Sequence, residues 1–184
     1  MENSDNSCDP APGRPPVRGI DHVGVTVPDI EAATDFFTRA LGAEVLYDTL
    51  RRADGPNSGA AMEQRLGVPP GTAQRAIRML ALPHGPGLEL FEFDALEQRP
   101  PALPCDLGWQ HLAVYVDDLE HAVARVEAAG GRALSEPGPL PGPEAGPRNR
   151  MVYTHTPWGS TLELITYPDP QPYEEHTSRR RRRP

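Results

Sequence analysis

The chain repeats itself without a gap. Gly19 to Val45, GIDHVGVTVPDIEAATDFFTRALGAEV, aligns at a constant offset of 89 with Gly108 to Leu134, GWQHLAVYVDDLEHAVARVEAAGGRAL, and 9 of the 27 positions are identical. A repeat of this length means that one structural module is built twice. Each copy opens on an alternating strand, with Val23, Val25 and Val27 on one face and His22, Gly24 and Thr26 on the other. The second copy sets Leu112, Val114 and Val116 against His111, Ala113 and Tyr115. A helix follows in both. Asp29 stands at the N-cap, Ile30, Ala33, Phe37, Ala40 and Leu41 form an apolar stripe, and Gly42 closes the helix as a left-handed residue. In the second copy Asp118 caps, Leu119, Ala122, Val123 and Val126 make the stripe, and Gly130-Gly131 ends it. The valine faces are expected to pack on the helices. The histidine faces should point the other way, into the cavity that the sheet encloses.

Three more strands fit behind each helix: Glu44 to Leu50, Ala73 to Leu82 and Gly87 to Phe93 in the first copy, and Arg132 to Ser135, Arg150 to His155 and Thr161 to Thr166 in the second. The closing strands GLELFEF and TLELITY share Leu-Glu-Leu, a second internal match. The extra length of the first copy lies in Arg51 to Thr72, where MEQRLGV (Met62 to Val68) has the pattern of a short helix ending at Gly67 before Pro69-Pro70. The expected class is α+β, with a first βαβββ module over residues 18–100 and a second over 101–168. Residues 1–17 and 169–184 hold too little apolar surface to offset the entropy of ordering them, so both are expected to be flexible tails.

Composition narrows the function. The net charge of -8, carried despite the run Arg179 to Arg183, argues against a nucleic-acid-binding body. An arginine run of this kind is expected to be solvated, without a dedicated partner. Two cysteines, Cys8 and Cys105, make neither a disulfide framework nor a thiolate zinc site. No signal peptide and no apolar stretch of membrane-spanning length is present, so no membrane partner is expected and a cytoplasmic location is the default.

Parity on the closing strands supplies the candidate site. Leu88 and Leu90 oppose Glu89 and Phe91, and Leu162 and Leu164 oppose Glu163 and Ile165. With the leucines on the helix, Glu89 and Glu163 share the cavity face with His22 and His111. A carboxylate among apolar neighbours is costly unless paired or bound to a cation. The same His and Glu at equivalent places in both copies make a metal site the expected use of all four. Two imidazoles and two carboxylates suit a divalent ion, zinc first, with nickel, cobalt, manganese and Fe(II) also accommodated. Glu92 has the opposite parity and is expected to face solvent. His84 falls in the turn Pro83 to Pro86, His121 on the helix exterior, and His155 near a strand end where it can line the cavity.

DHVGVTVPDIEAATDFFTRALGAEVL, HLAVYVDDLEHAVARVEAAG and the two Leu-Glu-Leu strands resemble the vicinal oxygen chelate superfamily of glyoxalase I, methylmalonyl-CoA epimerase, extradiol dioxygenases and fosfomycin and bleomycin resistance proteins. The resemblance covers Val17 to Pro168. It implies paired βαβββ modules forming a cupped mixed sheet around a metal site, with the ligand positions on His22, Glu89, His111 and Glu163. Leu46 to Asp48, the Met62 to Val68 helix and ELITYPDPQPYEE are similar to actinobacterial members, among them epimerases of keto-cyclitols such as 2-epi-5-epi-valiolone. That likeness implies an isomerase that inverts a carbon next to a ketone in a small polyol. The ion would hold the ketone and the neighbouring hydroxyl while a base removes the adjacent proton to give an enediolate. Glu89 and Glu163 are the first candidates for the acid–base pair; Asp48 and His155 are reserves. Arg78, Tyr115 and Tyr153 are candidate hydroxyl-binding residues, and Asp48 and His155 join them as candidate substrate contacts. A homodimer is expected, because many relatives build sites at subunit contacts. The alternatives within the fold are a glyoxalase I-type isomerase or lyase, a ring-cleaving dioxygenase and a drug-binding resistance protein.

Overall fold

Each repeat folds as its own mixed five-stranded sheet in the computed structural model, which describes residues 17–181 and 183. The first module runs β1 (His22–Thr26), α1 (Ile30–Leu41), β2 (Glu44–Leu50), β3 (Asn57–Ser58), α2 (Ala60–Leu66), β4 (Ala73–Ala81) and β5 (Gly87–Asp94). The second runs β6 (His111–Tyr115), α3 (Leu119–Ala128), β7 (Arg132–Ala133), β8 (Gly138–Pro139), β9 (Arg150–His155) and β10 (Thr161–Thr166). Strand order is β1-β5-β4-β2 with β3 on β4, and β6-β10-β9-β7 with β8 on β9. In both sheets the opening strand lies parallel to the closing strand and the other pairs are antiparallel. Parallel neighbours need a crossover, and the helix after each opening strand begins it.

The helices start and stop for local reasons. The Asp29 carboxylate accepts the Ala32 N–H at 2.8 Å, and Asp118 accepts that of His121 at the same distance. Gly42 ends α1 at φ 71°, a conformation open to glycine because it lacks a Cβ. On α3 the left-handed residue is Gly130, one place earlier in the repeat. Gly131 is needed for a different reason: a Cβ there would lie 2.7 Å from the His155 carbonyl oxygen and from Val126. In the first module α2 begins two residues ahead of the expected Met62 and ends at Gly67 as expected.

One core serves both modules. Leu88 and Leu90 of the first sheet and Leu162 and Leu164 of the second join α1 and α3 in it, with Val23, Val25, Leu112 and Val114 packed against its margin. Phe36, outside the expected stripe, is fully buried and meets Phe37 and Trp158 edge to face at 5.3 and 5.4 Å between centroids. The helix ends cap one another. Arg125 donates to the Arg39 carbonyl at 2.8 Å, and Arg39 donates to the carbonyl of Ala128, so carbonyls left over at each C-terminus find a partner on the other module.

The segment after Tyr167 is pinned down, unlike the loose tail expected over 169–184. Asp169 accepts from the Arg148 backbone and guanidinium at 2.6 to 2.9 Å, its own N–H donates to Asn149 at 2.9 Å, and Gln171 is buried. Farther on, Arg181 lies 4.7 Å over the Tyr167 ring and pairs with Glu144 at 2.7 Å. These anchors are polar, cation–π and charged, so a count of apolar residues misses them. The expected N-terminal tail, with Cys8, lies outside the described residues except for exposed Val17. Among the described residues no helix is long and apolar enough to cross a membrane.

Candidate metal and catalytic site

On each sheet the histidine and the glutamate meet by the same geometry. His22 stands opposite Gly87, and Glu89 stands opposite Gly24, one pleat along. His111 stands opposite Thr161, and Glu163 opposite Ala113. The small residue facing each glutamate leaves it free to lean toward the histidine. Nε2 of His22 is 3.3 Å from Glu89, and Nε2 of His111 is 3.2 Å from Glu163.

The other nitrogen of each ring is occupied by the residue just before it. Nδ1 of His22 is 2.7 Å from the Asp21 carboxylate, and Nδ1 of His111 is 3.3 Å from the Gln110 carbonyl oxygen. Both partners are acceptors, and the carboxylate that each Nε2 faces is an acceptor too, so each ring stands between two acceptors. The Asp21 hydrogen bond is the largest influence on His22 and raises its pKa; burial opposes it, and the charges of Glu89 and Asp21 add to it. The repeat placed Asp21 and Gln110 at one position, which was the signal for these partners.

The remaining candidates separate by face. Tyr153 lies opposite Glu163 on the same side, with its ring 5.5 Å from that of His111. Burial, then the Glu163 charge, raises its hydroxyl pKa. His155 lies opposite Thr161 on that side, and the Arg132 guanidinium reaches its Nδ1 at 3.0 Å. Burial, then the Arg132 charge, lowers the His155 pKa. Tyr115 shares the face, but its ring packs edge-on against Tyr167 at 4.9 Å. Asp48 and Arg78 do not join them. They pair across β2 and β4 at 2.7 Å, opposite Leu90 and so on the helix side. From there Arg78 donates to Glu31 at 2.8 Å and to Thr34 at 3.0 Å on α1. Arg78 lies in a regular stretch of the β4–β5 pairing that sets it opposite Leu90, and Asp48, between two register shifts in β2, pairs with it there.

Glu92 also needs correction. Its parity differs from that of Glu89 as expected, but it is only 8% exposed rather than facing solvent. It accepts the Ile30 N–H at 2.8 Å and Arg52 at 2.5 Å, placing a carboxylate at the positive end of α1. A cavity of about 820 Å³ runs beside β6, lined by His84, Tyr115, His121, Ile165, Tyr167 and Arg181 among others, but by none of the four His and Glu residues. Within one chain the two His–Glu pairs stay apart. Among the described residues no three His, Cys, Asp or Glu side chains gather closely enough to hold an ion.

Comparison with known proteins defines the class. The family model described as the Glyoxalase/Bleomycin resistance protein/Dioxygenase superfamily matches residues 19–164. The chain belongs to this superfamily. It is 41% identical over 169 residues to a 2-epi-5-epi-valiolone epimerase from an Actinomyces species, covering 90% of this chain and 88% of that one. A lactoylglutathione lyase of Arabidopsis thaliana is 26% identical over 83% of this chain, which spans 46% of that longer protein. Two solved structures share the fold. A glyoxalase family protein from Bacillus cereus has a TM-score of 0.64 at 18% identity, with 84% of this chain and 97% of that one covered. The fosfomycin resistance protein FosX from Listeria monocytogenes, solved with Mn(II) and sulfate, has a TM-score of 0.51 at 16% identity, with 82% and 93% covered.

Proposed function

We propose that this chain is a cytoplasmic, metal-dependent epimerase that inverts a carbon next to a ketone in a small polyol such as 2-epi-5-epi-valiolone. The observation that carries this reading is the likeness to the Actinomyces epimerase across nearly the whole of both chains. The two His–Glu pairs supply suitable chemistry. Neighbouring ligands on an ion with bonds of about 2.1 Å stand roughly 3.0 to 3.4 Å apart. The 3.3 and 3.2 Å separations of the two pairs fit that spacing, and each Nδ1 has an acceptor beside it, as the far nitrogen of a metal-bound imidazole needs. His22, Glu89, His111 and Glu163 would hold the ion. Zinc is the first candidate, and the Mn(II) in FosX supports a divalent ion in this fold. When bound, the ion would act as a Lewis acid toward the ketone oxygen and acidify the neighbouring C–H bond.

Because the pairs lie apart in one chain, the full set is completed in a homodimer. His22 and Glu89 of one protomer would face the second-module pair of its partner. Inversion requires a proton to leave one face of the carbon and another to reach the opposite face. Glu89 and Glu163 come from different modules and would flank the substrate, one accepting as carboxylate while the other delivers as acid. Tyr153 stands beside Glu163 to hold a substrate hydroxyl.

The test is exchange with solvent deuterium. The protein with metal restored should wash deuterium into 2-epi-5-epi-valiolone at the carbon next to its ketone, and elemental analysis should find a divalent ion. Glu89→Gln and Glu163→Gln should each lower kcat/KM by about a hundredfold or more. Absence of exchange by the metal-loaded wild type sinks the reading.

A further inference from the structure

The two site faces match in backbone and differ in side chains. Beside Glu89 the first sheet sets Met79, and beyond it Ile77 opposite Phe91. Beside Glu163 the second sheet sets Tyr153, and the adjoining row across β6, β10, β9 and β7 is His111, Thr161, His155 and Arg132. In the row of Glu89, Tyr47 follows Met79, so the first wall has one tyrosine among apolar groups, whereas the second carries a tyrosine with an imidazole and a guanidinium beside it.

Arg132 is the unusual member of that row. Among the described residues it has no carboxylate partner, and its guanidinium donates to His155 Nδ1 at 3.0 Å. A guanidinium can only donate, so Nδ1 must accept, and a neutral imidazole with Nδ1 as acceptor carries its proton on Nε2. An imidazolium has no acceptor to offer. The lowered pKa of His155, from burial and then from the Arg132 charge, agrees with a neutral ring.

We infer that Arg132 is a positioning residue that fixes His155 as an Nε2–H donor, and that this N–H reads a substrate hydroxyl on the second-module wall. The inference rests on the epimerase reading above. It takes His155 out of the reserve bases, because the nitrogen left for substrate already carries a proton. It also places polyol hydroxyls toward Tyr153 and His155 on the second-module wall.

Long-range ¹H–¹⁵N correlation spectra of the ¹⁵N-histidine-labelled full chain at neutral pH test the first half. His155 should show a protonated Nε2 and an unprotonated Nδ1, and Arg132→Ala should abolish that preference. An Nδ1–H ring in the wild type overturns the inference. Steady-state kinetics with 2-epi-5-epi-valiolone test the second half. His155→Asn and Arg132→Ala should raise KM about tenfold with a smaller change in kcat, as loss of a substrate hydrogen bond does. His155→Gln, whose amide N–H reaches the ε position, should recover the larger part. Equal KM in the Asn and Gln variants overturns the hydroxyl role and leaves the epimerase reading intact. Absence of turnover by the wild type overturns the epimerase reading and the substrate half with it, while the spectra still decide the role of Arg132.

Discussion

On β5, two residues separate two glutamates that face opposite ways. Glu89 leans toward His22 on the open face. Glu92 turns inward and joins the first N–H of α1 to Arg52, which also pairs with the N-cap residue Asp29 at 2.7 Å. Removing Glu92 leaves the Ile30 N–H without its acceptor and Arg52 with Asp29 alone, though Arg52 is 41% exposed and partly screened by solvent. Glu92→Ala should therefore cost about 2 kcal/mol, a fall of roughly 4 to 8 °C in Tm for a chain of this size. Glu92→Gln, which still accepts from Ile30, should recover part of it. Calorimetry showing less than about 0.5 kcal/mol for the alanine variant would contradict the assigned role.

At the scale of elements, the repeat is faithful in its strands and looser at its helix ends. Gly42 and Gly131 align in sequence but serve different physics. Gly42 sits at φ 71° with nothing closer than Pro83 at 3.8 Å to a would-be Cβ. Gly131 has no left-handed backbone to maintain and no room for a methyl group. Gly42→Ala should cost about 1 kcal/mol through backbone strain. Gly131→Ala should cost about 2 kcal/mol or more, because the His155 strand must move aside. Urea unfolding of the two variants checks the order. Equal costs, or a larger one at Gly42, would mean that the close approach of α3 to β9 is not fixed.

For the whole molecule, the separation of the two His–Glu pairs makes a prediction about mixtures. Suppose each site takes its first pair from one protomer and its second from the other. A heterodimer of Glu89→Gln and Glu163→Gln chains then has one doubly altered site and one wild-type site. Random reassortment makes half the dimers heterodimers, so mixing the two inactive proteins should restore about a quarter of wild-type specific activity. Sites built within single chains would give no recovery. The measurement is kcat of the refolded mixture against each variant alone.

The sequence by itself determined the module. Alternation, capping aspartates and the 89-residue offset placed both helices and the opening and closing strands, because these depend on local periodicity and on residues adjacent in the chain. Parity also paired His22 with Glu89 and His111 with Glu163, since a regular strand settles which way each side chain points. Asp48 and Arg78 went to the helix side, because the pairing of Arg78 with Leu90 depends on the register of β4 on β5, which neither strand encodes alone. Burial of Glu92 was equally out of reach, because its partners Ile30 and Arg52 lie 62 and 40 residues away. Only the tertiary structure decided that α1 and α3 pack together while the two His–Glu pairs remain separate. The physical reason is that packing between modules depends on the shapes that Phe36, Phe37, Trp158 and the reciprocal arginine caps present together, and no local pattern encodes that fit.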